Sequence, residues 1–581
     1  MNRPVSERVV RVLPDVSGLH KSFDYYVPTD LGGPPIQVGT LVRVSLHGRR
    51  TAGWVVAVDV EPPAGVRLEP LLKSSSVGPT AEVVELAGWV AREWAGRWSS
   101  VLKTASPEPF VSRVPSLRES SVAAGMESGL DRLFHGEGPR GVRSAPASDR
   151  FEIIREAARR GPAIVVTPDQ RSASAIAGRL RRAGVRTHRY PDQWAGGFEG
   201  GVVLGARSAV FASVPGLASI VVIDEHDDAL GNERNPTWHA RDVAAERARR
   251  LGIPCLLVSA SPSPAVVGAD MPLQLPGRTQ ERAGWPQVHV VDRRDEDPGR
   301  TGLFSTALVR RIRGEGRVLC ILNRKGRAVM LACATCGELV RSHDGSELMV
   351  EDDAGLVAPR SGERRPRICG SCSGTKLKRL RLGVARAAEE LSALLREPVG
   401  EVTGASVDGD GLDHRVVVGT EALLHRVAAA STVTFLDFDH ELMASRYRAG
   451  EQAMSLLLRA AAIAGPRAAG GRLLIQTRMP DHRVLRAAVR AQPDVFITEE
   501  LDLRRSGNLP PFVGMAMVSG SAAEEFVEPL RSRLGFEVNG PDRDNRFLIT
   551  GADRAVVAAT LAELPRPKEG RVSVAIDPLR V

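Results

Sequence analysis

No apolar run in this 581-residue chain approaches 18 residues, so the sequence offers no membrane-spanning helix. The N-terminus, MNRPVSERVVRVLP, lacks both an apolar h-region and a cleavage site and does not read as a secretory signal. Cysteine is scarce: there are six, and four of them fall in two C-x-x-C pairs. That usage argues against a disulfide framework and for metal in a reducing compartment. There is no internal repeat. Also absent is any G-x-x-x-x-G-K-[ST] stretch. Such a loop needs glycines so that backbone N–H groups wrap phosphate, a Lys for the β/γ oxygens and a hydroxyl for Mg²⁺. A standard nucleotide-binding loop is therefore excluded.

What is present is the composition of an ordinary globular protein, 43% hydrophobic and 25% charged. The length implies about three to five domains. The formal net charge of +9 fits a nucleic-acid partner, and an Arg-rich composition alone gives the same sign. Residues 6–60 alternate as short strands separated by turns, at 9–13, 25–27, 41–44 and 53–58, which suggests a small β-barrel-like module. Residues 80–105 carry helical periodicity, with Val83, Val84, Leu86, Ala87, Val90, Ala91 and Trp94 on one face. Residues 106–150 are rich in Pro, Gly, Ser and Arg and read as linker.

Residues 219–242, SIVVIDEHDDALGNERNPTWHARD, organise the rest. The β-branched run 220–223 suits a buried parallel strand. It turns acidic at once, at Asp224, Glu225, His226 and Asp227. Two readings stand: a strand end that holds Mg²⁺ and positions a water against ATP, or a buried strand followed by a solvated acidic turn. Cys333, Cys336, Cys369 and Cys372 supply four thiolates at the spacing that tetrahedral Zn²⁺ favours; a redox C-x-x-C usually comes singly. Cys255 and Cys320 lie in apolar runs and read as buried structural residues. The basic run Lys376, Lys378, Arg379 and Arg381 either touches phosphate or is a solvated face.

The 219–242 stretch resembles the DEEHD box and downstream H-A-R-D of the primosomal replication-restart (PriA) family of superfamily 2 DNA helicases. His239, Ala240, Arg241 and Asp242 match as they stand, and the 11 residues between Asp227 and His239 keep the family's spacing. In ungapped register Ile223 takes the place of the first Asp and Asp224 that of the first Glu. The resemblance extends to Phe23, Asp24 and Tyr25, to Gly39, to Arg43, Arg49 and Arg50, and to Lys73, which it implies form a DNA 3′-end site. In isolation FDYYVP more often reads as a packed hairpin with one exposed Asp, and the order and spacing of the matching pieces reverse that reading. Further matches are Gly205 to Phe211 (GARSAVF), Ser259 to Ser263 (SASPS), Asn323-Arg324-Lys325-Gly326, Arg448-Ala449-Gly450-Glu451 and Leu509-Pro510-Pro511-Phe512.

The resemblance also locates what is missing. The loop Lys and Thr fall at Pro146 and Ala147, and the two arginines of the finger motif at Ile463 and Pro466. The inner cysteine pairs of the family are replaced by the cysteine-free stretch 340–367, which implies one zinc rather than two. The implied fold is α/β and multidomain. A 3′-DNA-end-binding domain occupies 1–110, and 111–150 is a linker where the winged helix is reduced or absent. Degenerate RecA-like helicase lobes span 151–315 and 316–512, the second with a zinc-binding insertion at about 333–375, and a small α+β domain spans 513–581. The implied function is cytoplasmic replication restart on forked DNA with a nascent 3′ end. Other primosome and helicase-loading proteins and single-strand-binding protein are the implied partners, and ATP and Mg²⁺ are without their usual ligands. The alternative is an active ATP-dependent 3′–5′ helicase with a nonstandard nucleotide site.

Overall fold

The computed structural model describes residues 8–16, 21–61, 67–118, 129–296, 302–322, 330–336, 338, 340–343, 349–352, 355–358, 361–380, 383–403, 406, 411–444 and 446–579. The chain divides into two compact units. The first comprises Met1–Ser144, Asp149–Pro276 and Ile497–Val581, and the second Ala145–Ser148 and Gly277–Phe496.

The first unit opens with a closed five-stranded barrel. Its strands are β1 (Val9–Pro14), β2 (Phe23–Tyr26), β3 (Leu41–Leu46), β4 (Arg49–Val58) and β5 (Glu69–Ser76), in the order β1-β2-β5-β3-β4. Two-residue alternation sends Val10, Val12, Tyr25, Val42, Val44, Val55 and Leu71 inward, where they fill the interior. β5 closes the barrel and is the strand the sequence pattern hides, because two register shifts interrupt its alternation. One leaves Leu72 as an extra residue between the Arg43–Lys73 and Val44–Leu71 pairs, a bulge that turns Leu72 outward. Leu13 and Trp54 face out of the barrel and join the core beneath α1 (Ala81–Glu93) and α2 (Trp98–Ala105). The face expected of α1 is the buried one, with Trp94 only 1% exposed at its end.

A seven-stranded parallel sheet follows. Its strands are β6 (Gly138–Arg143), β7 (Ala163–Val166), β8 (Thr187–Tyr190), β9 (Val202–Gly205), β10 (Ser219–Ile223), β11 (Pro254–Ser259) and β12 (Leu273–Gln274), in the order β12-β6-β11-β10-β7-β9-β8. Helices α3 (Phe151–Arg160), α4 (Gln170–Arg182) and α5 (Ala240–Leu251) supply the layers on its faces. β10 is buried throughout because both faces are covered. Ile220 and Val222 pack into one core, and Val221 and Ile223 into the other. The same core that takes Ile220 also takes Ala516, Val518, Phe526, Phe547 and Ile549 of the C-terminal domain. That domain is a four-stranded antiparallel sheet ordered Phe536–Asn539, Arg546–Gly551, Gly514–Ser519, Ser573–Ile576, with helices Ala523–Arg531 and Arg554–Glu563.

The second unit holds a six-stranded parallel sheet ordered Gln287–Asp292, Arg472–Thr477, Thr432–Phe435, Val318–Ile321, Val416–Gly419, Val399–Val402. Its β-rich insertion pairs Met330–Cys333 with Leu377–Leu380 and adds a three-stranded sheet of Val350–Asp352, Gly355–Val357 and Arg364–Arg365. Leu331, Val340, Met349, Leu356 and Ala358 form its small core.

Three boundaries differ from the sequence reading. β6 lies inside the stretch read as linker: GPRGVR has one buried hydrophobic residue, Val142, and becomes a strand only through its parallel pairing with β11. The first lobe ends near Pro276 rather than at 315, because Gln287–Asp292 pairs with Arg472–Thr477 in the second sheet. The second unit ends at Phe496 rather than 512. Residues 323–326, Arg381 and the side chains of Lys378 and Arg379 lie outside the described residues. Among the described residues no helix is long and apolar enough to cross a membrane.

Candidate nucleic-acid interface, motor remnant and metal centre

Asp24 stands directly opposite Arg11 across β1 and β2. The pair is bidentate: Arg11 Nε donates to Oδ1 at 2.7 Å and Nη2 to Oδ2 at 3.1 Å. The Asp24 side chain is 10% exposed and that of Arg11 44%. Hydrogen bonding to Asp24 raises the Arg11 pKa above its ordinary value. Tyr25 points the other way, into the barrel, with its hydroxyl donating to the Ser45 carbonyl at 3.1 Å. Burial, with Glu69 adding, pushes its phenol up. The expectation that Tyr25 helps form a nucleotide pocket is thus corrected: β alternation encloses its ring. Half-buried Phe23 begins the strand and packs against the barrel core, while Tyr26 lies on the Asp24 face by the two-residue period.

Gly39 is held by packing. Its φ is +93°, and a Cβ there would meet the Pro79 carbonyl oxygen at 1.7 Å. Arg43 pairs in register with Lys73 of β5, and Ser45 and Leu46 pair with Arg50 and Arg49 of β4. None of these four cations is in an ion pair among the described residues. They cluster on β5, β3 and β4, whereas Arg11 and Asp24 lie on β1 and β2.

The carboxyl end of β10 is not vacant. Asp224, in the left-handed region at φ +52°, accepts from Arg150 Nη1 at 2.7 Å. Arg150 caps α3 at the end of the loop that follows β6, and its Nε donates to Ser144 Oγ at 3.0 Å. Glu225 is fully buried. Its Oε1 accepts from the Ser263 backbone N–H at 2.7 Å and Ser259 Oγ at 3.3 Å, and its Oε2 from Ser263 Oγ at 2.8 Å and Arg241 Nη1 at 3.4 Å. Asp227 caps the short turn after it by accepting from the Ala229 N–H at 2.9 Å. His226 is buried beside them.

His239 caps α5, its Nδ1 accepting from the Arg241 N–H at 3.2 Å. Arg241 Nε donates to Asp242 at 3.0 Å, and Asp242 accepts from Arg554 Nη1 at 3.0 Å. Arg554 also lies 4.6 Å from the Trp94 ring centroid and 3.7 Å from Asp577. Asn235 Nδ2 and Thr237 Oγ1 donate to the Val574 and Ile576 carbonyls at 2.8 and 2.7 Å. The H-A-R-D segment therefore fastens the C-terminal domain to the first lobe. Burial alone would raise the Asp242 pKa, but Arg241, Arg554 and His239 override it and hold the carboxyl well below the usual range.

In the second unit Ile463 is buried near the end of helix Ala449–Ala464, and Pro466 begins the turn beyond it. Arg467 lies in that turn, its N–H donating to the Trp285 carbonyl at 2.9 Å. Arg448 is committed to a buried pair with Glu451, at 3.0 Å through both Nε and Nη2.

Cys333, Cys336, Cys369 and Cys372 bring their Sγ atoms within 4.8 Å of one another. Cys333 and Cys372 are 3.4 Å apart and Cys336 and Cys369 3.6 Å. Thiolates at ~2.3 Å around tetrahedral Zn²⁺ are separated by ~3.8 Å, so the donor set fits such an ion. Backbone turns position both pairs: the Cys333 N–H donates to the Glu338 carbonyl at 2.8 Å and the Cys369 N–H to that of Gly374 at 2.9 Å. A Cβ on Gly374 would come within 3.1 Å of Cys333 Sγ. The N–H groups of Cys336 and Thr335 lower the Cys333 pKa to about 6. Cys255 and Cys320, by contrast, are fully buried, and burial pushes each thiol up to about 12.

The sequence reading gives no site role to Arg11, Tyr26, Arg150, Ser263 or Arg554. Arg11 had a signal, as the one charged residue in VVRVLP. Arg150 and Arg554 had none, since each meets its carboxylate across at least 74 residues of chain.

The family model of the PriA 3′ DNA-binding domain matches residues 11–107. The replication restart protein PriA of Haemophilus influenzae is 28% identical over 55% of this chain and 47% of its own length. That of Bacillus subtilis is 27% identical over 56% and 44%. The chain thus spans about half the length of these two relatives. The probable replication restart protein PriA of Mycobacterium leprae is 28% identical over 90% of both chains. Among solved structures, a DEAD-box protein of Methanococcus jannaschii has a TM-score of 0.30 at 10% identity, over 61% of this chain and 86% of that one. The chain itself carries two parallel sheets, one of seven strands and one of six. Its first domain matches the family model of the PriA 3′ DNA-binding domain, and along nine-tenths of its length the chain is similar to replication restart proteins PriA.

Proposed function

We propose that this chain binds forked DNA at a nascent 3′ end and helps reload the replication machinery there, without ATP-driven unwinding. One observation carries the loss of the motor: Arg150 donates to Asp224 at 2.7 Å, so the strand-end carboxylate is already neutralised by a cation of the chain. Mg²⁺ and ATP do not fit the residues around it. Ile223 stands where a metal carboxylate is needed, and Glu225 meets protein donors at both oxygens. The loop before α3 carries neither Lys nor Thr.

The DNA side rests on the barrel. The Asp24 carboxylate accepts from a free 3′-OH, a charge-assisted contact. Tyr26, on the Asp24 face of the strand, is the ring available to stack on the terminal base, a contact worth ~1–3 kcal/mol, and Phe23 packs against the barrel core beneath it. Arg43, Arg49, Arg50 and Lys73 hold phosphates without regard to sequence. The partners are those of the family role, namely other primosome proteins and single-strand-binding protein, and the setting is the cytoplasm. One zinc held by the four cysteines stabilises the insertion as a structural ion.

The test is ATP hydrolysis in the presence of forked DNA. Background rates are expected. Turnover of ~1 s⁻¹ or faster would falsify the motor-less reading and favour a helicase with a nonstandard site.

A further inference from the structure

We infer that Arg11 is a specificity-determining residue of the 3′-end site, acting with Asp24 as one two-charge reader of the DNA terminus. The inference deepens the end-binding reading and rests on it. Arg11 and Asp24 are directly opposed on adjacent antiparallel strands, and both carboxylate oxygens are taken by one guanidinium. A carboxylate offers about four lone-pair positions, and a guanidinium five N–H donors. The pair consumes two of each, leaving Asp24 able to accept from a hydroxyl and Arg11 with unused donors. The cation is the more open partner, with a side chain 44% exposed against 10% for the acid. A neighbouring phosphodiester oxygen is the ligand chemistry that suits those donors.

The charge balance sets the expected selectivity. An isolated carboxylate rejects a terminal phosphate by like-charge repulsion. A carboxylate covered by a guanidinium rejects it less, because the site is near neutral. Arg11 therefore attracts the backbone and also moderates discrimination against 3′-phosphate ends. Removing the cation bares the acid and sharpens the discrimination; removing the acid bares the cation and reverses it.

The experiment is a set of titrations of the full chain on forks ending in 3′-OH or 3′-phosphate at matched ionic strength. For the unmutated protein the hydroxyl end is preferred. For Arg11→Gln, affinity for the hydroxyl-ended fork falls about tenfold, the weight of one charge-assisted hydrogen bond, and the hydroxyl-to-phosphate ratio rises. For Asp24→Asn the ratio inverts, with the phosphate end bound more tightly. Arg11→Lys keeps the charge but loses the bidentate geometry. It lowers affinity while keeping the ratio near that of the unmutated protein. Circular dichroism and thermal denaturation report that each variant is folded. If Arg11→Gln leaves the ratio unchanged or lowers it, and Asp24→Asn only brings it to one, Asp24 acts alone and the role of Arg11 is overturned, while end recognition stands. Equal binding of the two ends by the unmutated protein overturns end recognition itself, and the role of Arg11 with it.

Discussion

At the scale of one residue, Glu225 carries the proposal that the strand-end carboxylate serves the fold. Its side chain is fully buried and meets donors from Ser259, Ser263 and Arg241. In a working ATPase a carboxylate at a strand end faces a metal or a water, and exchanging it for an amide stops turnover while leaving the fold intact. Here the exchange removes an acceptor from a closed network and leaves the Arg241 charge incompletely paired. Glu225→Gln is expected to lower stability by about 2–3 kcal/mol, the range for a buried charged group deprived of a partner. Urea or thermal denaturation of the two proteins measures this. A stability difference under about 0.5 kcal/mol would mean that the network contributes nothing and that Glu225 remains available for other work.

The junction between α5 and the C-terminal sheet is the corresponding case at the scale of elements. Two backbone carbonyls of strand Ser573–Ile576 accept from the segment before α5, and Arg554 reaches Asp242 on α5 itself. Asp242→Asn is expected to cost ~2 kcal/mol at neutral pH, the scale of a hydrogen bond between charged groups. The pH dependence has a definite sign. The folded-state pKa of Asp242 is depressed, so its contribution is complete above the unfolded value near 4 and is lost as pH falls through the lower folded value. The difference in stability between the two proteins should hold steady from pH 7 to about 5 and shrink only in strong acid; a difference that grows on acidification contradicts the assignment. The insertion of the second unit gives a second test. Among the described residues its core is a handful around Leu331 and Met349, too few to hold such a module without a staple. Structural zinc contributes ~10–16 kcal/mol of apparent free energy in modules of this size. Cys372→Ser should therefore unfold the insertion locally, seen as accelerated proteolysis within 340–380. Metal analysis should return one zinc per chain, and two or none after preparation without chelator would refute the four-thiolate site.

For the molecule as a whole, affinity for DNA should follow salt. Replacing Arg43, Arg49, Arg50 and Lys73 together by Gln is expected to flatten the slope of log K against log salt by about 3.6, since each of the four phosphate contacts contributes about 0.9. Titrations over about 50–200 mM salt measure it, and an unchanged slope would move the phosphate-binding surface elsewhere. Much of this protein is written locally. Short β-branched runs bounded by turns mark β1, β3 and β4, and helical periodicity marks the buried face of α1. Two C-x-x-C pairs mark the four thiols that could hold a metal ion, and the lack of a G-x-x-x-x-G-K-[ST] loop is plain from the residues alone. These features are legible because each depends on neighbours a few residues apart. β6 was not legible, because GPRGVR is a strand only beside β11, and β5 was obscured by its bulges. Nor could local pattern show that Tyr25 is enclosed, that Arg11 covers Asp24, that Arg150 neutralises Asp224, or that Asp242 ties down Arg554. Residue types and short spacings determine which side chains exist and which face of an element they take. Which charge meets which is decided by contacts between segments 13 to 312 residues apart, and only folding brings those segments together.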